Sequence, residues 1–352
     1  MNLDDVELFR RLDPDGMLGH IDGLPDQLEQ AWALGRSQPL PGYSQVRRVV
    51  VCGMGGSAIG ADLLASYAAP LAPVPMVVWR NYELPAYASG PETLVIISSH
   101  SGNTEETLTA FDRARDRGTA LLVVTTGGEL ARRAESSGTP LWRFEHRGQP
   151  RSAVGFSFGL LLAAVARLGL VPDPAEEIRG AAAVMRLQQD KLRVQVPVVH
   201  NPAKRMAGQF VGRWPVVIGA EHLGPVARRW RTQMSEIAKA VAQFEELPEA
   251  DHNLVAGVSN PEGLTGQTTV VFLRGQLYHP RNLLRVEATR EALMVEGFNT
   301  DVIEAQGETR LAQQWSCLHF GDYCAYYLAM AYGADPTPVA AIEGLKERLA
   351  RG

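Results

Sequence analysis

The sequence predicts an α/β fold of two domains, each a parallel sheet flanked by helices. Short apolar runs alternate with helical segments through the first half of the chain, and the second half repeats that rhythm less cleanly. Strands separated by helices call for a parallel sheet covered on both faces. With 352 residues and 45% hydrophobic content, the chain is long enough for two cores of about 150 residues each. Val171-Pro172-Asp173-Pro174 reads as the junction, which gives an N-terminal domain over residues 1–170 and a C-terminal domain over 171–352.

In chain order, a helical leader runs to about Leu34. Strands follow at Val49–Cys52, Met76–Trp79, Leu94–Ser98, Ala120–Val124 and Leu141–Phe144, with helical segments between them, and helix dominates from Phe156 to Leu168. Beyond the junction come a strand at Val216–Gly219, a helix over about 226–240, a strand at Thr269–Leu273 and a helix over about 282–296. A short strand at Asp301–Ile303, a long helix through Tyr332 and a last helix over about 338–349 complete the chain.

Two strand-to-helix loops carry the chemistry. Leu94-Val95-Ile96-Ile97 leads into Ser98-Ser99-His100-Ser101-Gly102-Asn103-Thr104-Glu105-Glu106-Thr107, and Val49-Val50-Val51-Cys52 leads into Gly53-Met54-Gly55-Gly56-Ser57-Ala58-Ile59-Gly60. A strand that feeds hydroxyls and free backbone N–H groups into a helix N-terminus makes a site for phosphate. Ser and Thr are also ordinary helix caps, so either loop alone is open to a purely structural reading. Two such loops at the same end of one sheet favour an anion site. No lysine or Mg²⁺-binding pattern accompanies them, which points to a sugar phosphate rather than a nucleotide.

The glycine-rich loop, Gly53-Met54-Gly55-Gly56-Ser57-Ala58, also fits the G-x-G-x-x-A form of the dinucleotide fingerprint. An NAD site wants an acidic residue at the end of the second strand, where this chain has Trp79-Arg80-Asn81. Arg80 would suit NADP, so an NADP-dependent oxidoreductase stays open as an alternative, although it leaves the serine-rich turn unexplained.

Composition excludes several classes. A net charge of −5 without a long Lys/Arg run argues against nucleic acid or an anionic membrane as the main partner, and pairs such as Arg47-Arg48 and Arg228-Arg229 read as solvated faces. No apolar stretch approaches the roughly 18 residues needed to span a bilayer, and the start, Met1-Asn2-Leu3-Asp4-Asp5, is acidic, so a cytoplasmic location is expected. Cys52, Cys317 and Cys324 are an odd number in apolar contexts and read as buried free thiols. The eight histidines show neither H-x-x-x-H nor H-E-x-x-H spacing, which disfavours a metal site.

The pairing of GMGGSAIG with SSHSGNTEET resembles the sugar isomerase domain, a phosphosugar-binding module. Arg228-Arg229-Trp230-Arg231-Thr232-Gln233-Met234-Ser235-Glu236-Ile237-Ala238-Lys239, Leu247-Pro248-Glu249-Ala250-Asp251-His252-Asn253 and the tail from Asp335-Pro336-Thr337-Pro338 to Lys346 resemble the bifunctional phosphoglucose/phosphomannose isomerases. The motifs fall in order from about residue 49 to 346. The resemblance implies two sugar isomerase domains and a homodimer with an active site shared between subunits. It also implies metal-free, cofactor-free interconversion of glucose 6-phosphate, mannose 6-phosphate and fructose 6-phosphate.

By the same resemblance, Gly56, Ser57, Ser99, Ser101 and Thr104 hold the phosphate. Glu236 is the base, His252 and Lys346 open the sugar ring, and Arg151 stabilises the intermediate. Two departures stand out: His100 where the turn often has Tyr, and Ser235-Glu236-Ile237 where Asn-Glu-Asn is usual. The chemistry itself needs a carboxylate to move a proton between C2 and C1 and a cation to hold the enediolate oxygen. A non-catalytic phosphosugar sensor would use the same loops without turnover.

Overall fold

Strand residues that are apolar on both faces must be covered on both, and the computed structural model shows how. It describes residues 2–43 and 45–349. Three helices open the chain, α1 (Val6–Leu12), α2 (Met17–Asp22) and α3 (Leu24–Ser37). The first sheet comprises β1 (Arg48–Cys52), β2 (Met76–Trp79), β3 (Thr93–Ser99), β4 (Ala120–Thr125) and β5 (Leu141–Arg143). Helices α4 (Gly55–Ala68), α5 (Glu105–Asp116) and α6 (Gly128–Ser136) connect its strands. All pairings are parallel, in the order β2-β1-β3-β4-β5. Every residue of β3 and β4 is buried, which is why their sequences are unbroken apolar runs.

A short 3₁₀ turn at Pro150–Ala153 leads into α7 (Val154–Arg167), followed by α8 (Ala175–Leu192) and α9 (Pro202–Phe210). The second sheet holds β6 (Trp214–Ala220), β7 (Gln243–Leu247), β8 (Thr268–Arg274) and β9 (Asn299–Glu304), again all parallel, in the order β7-β6-β8-β9. Around it lie α10 (Gly224–Glu236), α11 (Pro280–Val295) and α12 (Arg310–Tyr332), and α13 (Ala340–Leu349) ends the described chain. One hydrophobic cluster runs through both halves and includes Leu28, Trp142, Phe158, Trp230, Trp315 and Tyr327. Helix α12 is its axis: its residues from Leu311 to Met330 are all buried.

Four elements differ from the sequence reading. Strand β7 and helices α8 and α9 were not expected, and the helix expected over 226–240 stops at Glu236. It stops because Lys239 adopts a left-handed φ of 56° and Ala240 N–H turns back to the Met234 carbonyl at 3.0 Å, a helix end usually closed by glycine. Arg229, expected on a solvated face, is instead buried against Asp322 of α12. The three cysteines are free and buried, as expected.

Buried histidines set the pH limits of this core. His319 is fully buried; its Nε2 lies 2.9 Å from the Ile21 carbonyl and its Nδ1 3.1 Å from Gln188 Nε2. Only the neutral ring, donating from Nε2 and accepting at Nδ1, satisfies both partners. Burial pushes His319 down to about 4, and His222, buried against Gln313, likewise to about 4. The unfolded chain therefore binds these protons first, and stability falls as pH drops from about 6.5 toward 4. Each ring is expected to cost about 2 kcal/mol between pH 7 and pH 5. Urea unfolding at the two pH values checks this: His319→Gln should show a smaller loss than wild type, and equal losses would contradict the assignment.

Candidate active site

Strand β1 lies between β2 and β3, so chain direction across the sheet reverses between β1 and β3. At such a switch point the loops leaving the two strands part and open a crevice at their carboxyl ends. The two loops singled out in the sequence are the ones that leave β1 and β3. They touch: His100 N–H donates to Ser57 Oγ at 3.1 Å. Ser99 Oγ accepts from Gly102 N–H at 3.2 Å, and Ser101 Oγ from Asn103 N–H at 3.2 Å.

Thr104 is the N-cap residue of α5, yet its hydroxyl caps no helix N–H; it accepts instead from Ser99 Oγ at 3.4 Å. The N-cap of α4 is Met54, also without a side-chain cap. Both helices thus present N-termini without a side-chain cap to the crevice, as an anion site requires. Gly56 has to be glycine for a spatial reason: a Cβ there would collide with the Pro150 carbonyl. That close approach fastens the first loop to the turn that carries Arg151.

Arg151 is 2% exposed, and its guanidinium lies 3.5 Å from Glu236 at the end of α10. It also donates to the carbonyls of Pro336, at 2.8 Å, and Thr337, in the segment before α13. Burial lowers its pKa below the ordinary arginine value, and Glu236 opposes that shift. Arg229 holds the backbone of the turn from behind, donating to the Arg151 carbonyl at 3.1 Å while its guanidinium grips Asp322 at 2.6 and 3.1 Å. Gln233 donates to the same carboxylate at 3.0 Å. A cavity of about 630 Å³ brings Gly55, Gly56, Arg151 and Glu236 onto one wall system.

Sequence reasoning passed over Lys239, whose Nζ donates to the Glu236 carbonyl at 2.7 Å. Desolvation, with Arg151 beside it, pushes this ammonium down to about 8. No sequence signal announces it, since its place depends on the left-handed turn that ends α10.

His252 and Lys346 stand apart from this constellation in the single chain. His252 is exposed on a 3₁₀ turn at Glu249–His252, and Lys346 is exposed on α13. Neither lines the cavity of Arg151 and Glu236. Helix α13 has no buried residue, and Ile342, Leu345 and Leu349 are exposed along it.

The second sheet has a switch point of its own between β6 and β8. There the Glu221 carboxylate accepts from His279 N–H and from Asn282 Nδ2, both at 2.7 Å, at the N-terminus of α11. The chain places its own anion where the first sheet offers room for a foreign one. Among the described residues no group of three or more His, Cys, Asp or Glu is arranged to hold a metal ion, and no helix is long and apolar enough to cross a membrane.

Residues 42–137 match the family model described as the SIS domain, and residues 199–349 match the bacterial phospho-glucose isomerase C-terminal SIS domain. A bifunctional phosphoglucose/phosphomannose isomerase of Caldicellulosiruptor bescii is 36% identical over 95% of this chain and 99% of its own length. The chain belongs to the bifunctional phosphoglucose/phosphomannose isomerase family. A second bifunctional phosphoglucose/phosphomannose isomerase, from Aquifex aeolicus, is 32% identical over 86% of this chain and 90% of its own. Among solved structures, the C-terminal domain of glucosamine-fructose-6-phosphate aminotransferase from Francisella tularensis shares the fold. It has a TM-score of 0.71 at 14% identity, over 92% of this chain and 99% of that one. Membership of this isomerase family disfavours both the oxidoreductase and the sensor readings.

Proposed function

We propose that the protein interconverts glucose 6-phosphate and mannose 6-phosphate with fructose 6-phosphate, without a metal or cofactor, in the cavity that Arg151 and Glu236 share. The observation that carries this reading is the juxtaposition of a buried guanidinium and a carboxylate, 3.5 Å apart, beside the Gly55–Gly56 loop. The phosphate would be held by the backbone around Gly56 and by the hydroxyls of Ser57, Ser99, Ser101 and Thr104. Hydrogen bonds among these hydroxyls and nearby N–H groups link the loops that leave β1 and β3, which supports this reading, although the hydroxyls do not line the cavity itself.

Glu236 takes the proton from C2 of the open-chain aldose, leaving an enediolate whose oxygen Arg151 stabilises, and returns the proton to C1 to give the ketose. Because the enediol is planar at C2, reprotonation from either face at that carbon gives glucose or mannose phosphate. Phosphate binding energy holds the reacting carbons against the carboxylate.

Ring opening needs an acid and a base, and among the described residues neither His252 nor Lys346 lines the cavity of the single chain. We assign it to His252 and Lys346 of a homodimer in which these exposed elements meet a neighbouring subunit's cavity. An exposed turn and an exposed helix with apolar side chains on its surface suit that exchange, which a two-fold axis makes reciprocal. A cytoplasmic location accompanies this reading of the enzyme.

The test is a coupled assay for fructose 6-phosphate formed from each aldose phosphate. Both substrates should turn over, and Ser101→Ala combined with Thr104→Ala should raise KM for both by about tenfold or more through the lost charge-assisted hydrogen bonds. No product from either aldose, or an unchanged KM in the double variant, would count against the proposal.

A further inference from the structure

Three histidines that the proposed chemistry does not use converge behind the serine-rich loop that leaves β3. His20 comes from α2, His100 from the loop itself, and His146 from the segment between β5 and the 3₁₀ turn that carries Arg151. Ring centroids are 5.1 Å apart between His20 and His146, and again between His100 and His146. His100 Nε2 lies 3.0 Å from His146 Nδ1, a hydrogen bond in which one neutral ring donates and the other accepts. Burial lowers the pKa of both rings. That of His146 falls to about 4, with His100 and His20 adding to the shift and the Ser152 backbone, next to Arg151, opposing it. Burial lowers His20 as well, against the attraction of Asp13.

The packing holds this pair in place. Phe144 stands edge-on to His100 and Phe156 edge-on to His146, with centroids 5.9 and 6.1 Å apart, and the two phenyl rings stack at 5.0 Å. Gly148, at φ 143°, crosses the cluster so closely that a Cβ there would lie 2.7 Å from His20 Nε2 and 3.1 Å from His146 Cε1. Other hydrogen bonds of the serine-rich loop run elsewhere. His100 N–H donates to Ser57 Oγ at 3.1 Å, the His100 carbonyl accepts from Thr126 Oγ1 at 2.7 Å, and the Gly102 carbonyl accepts from Leu130 N–H at 2.8 Å. These tie the loop to the segments after β1 and β4. Among the described residues, the bond between His100 and His146 is the only hydrogen bond that joins it to the segment leading into the Arg151 turn.

We infer that the His100–His146 pair sets the span between the phosphate-holding loop and the Arg151–Glu236 pair, so that both histidines are positioning residues for proton transfer between C2 and C1. This rests on the reading that the serine-rich loop takes the phosphate. A sugar anchored there presents its reacting carbons at a fixed reach, and the reaction needs Glu236 against C2 and Arg151 against the developing oxyanion. A loop displaced by about 1 Å still binds phosphate but carries the carbons out of register, at a cost of up to about 10²-fold in rate.

Steady-state kinetics of the full chain on glucose 6-phosphate test the pair through a cycle of His100→Phe, His146→Phe and the double variant. Phenylalanine keeps a ring in the aromatic cluster and removes the nitrogen. Each single variant should lower kcat about tenfold or more with KM within about twofold of wild type, and the double variant should be no worse than the worse single one, as partners in one contact predict. His146→Asn, whose amide can stand near the Nδ1 position, should recover most of the rate. His146→Leu takes the place of His146→Phe in the cycle if the phenylalanine variant fails to fold. Unchanged kcat, additive losses, a rise in KM alone, or no recovery in His146→Asn would overturn the role of the pair. Ser101→Ala with Thr104→Ala keeps the two readings apart. If its KM is unchanged, the phosphate lies elsewhere and both readings fall; if its KM rises while the histidine cycle fails, only the span falls.

Discussion

Glu236→Gln is expected to lose isomerisation by roughly 10²–10⁴-fold in kcat for both aldose phosphates. The amide keeps the shape and the contact with Arg151 but cannot accept a proton from C2. Because the residue is partly exposed at the cavity wall, with 27% of its side chain accessible, the substitution should leave the melting temperature and phosphosugar affinity near wild type. A loss confined to KM would reassign Glu236 to binding, and near-wild-type turnover would remove it as the base.

Asp322→Ala should be the most destabilising single change near the site, by about 3–5 kcal/mol, because it leaves the Arg229 guanidinium charged and unpaired in the interior. Asp322 accepts from Arg229 Nε at 3.1 Å and from Gln233 at 3.0 Å, and both residues belong to the helix that ends at Glu236. The pair Arg229→Met with Asp322→Leu replaces the ions by apolar groups of similar size and should recover most of that stability. It should not recover activity, because Arg229 also donates to the Arg151 carbonyl. Chemical denaturation of the two variants, alongside their kcat, separates holding the fold from holding the arginine. Full activity in a stable double variant would show that Arg151 needs no such support.

The first sheet was legible because its central strands are buried on both faces, so Leu94-Val95-Ile96-Ile97 and Leu121-Leu122-Val123-Val124 read as unbroken apolar runs. Strand β7 was not, since it lies at the edge of the second sheet and its sequence, Gln-Phe-Glu-Glu-Leu, has neither an apolar run nor clean alternation. Helices α8 and α9 lie behind the Pro-rich junction, which masked their apolar spacing.

The two loops at the switch point declared themselves by glycine and hydroxyl content. Arg151 and Glu236 were singled out through the family resemblance, because they are 85 residues apart and nothing local pairs them. Arg229 was misread for the same reason: its partner, Asp322, is 93 residues away, and a local window sees only a basic pair. Lys239 depends on a backbone turn of φ 56° that a lysine does not advertise.

The central claim is that a carboxylate in the Arg151 cavity moves a proton between C2 and C1. Proton NMR of glucose 6-phosphate turned over in deuterium oxide tests it directly. A proton carried by Glu236 exchanges with solvent, so fructose 6-phosphate should gain deuterium at C1, and the recovered aldose should gain it at C2. Both signals should vanish in Glu236→Gln. Complete retention of the original C2 proton in the ketose, or undiminished exchange in the Glu236→Gln variant, would contradict the account.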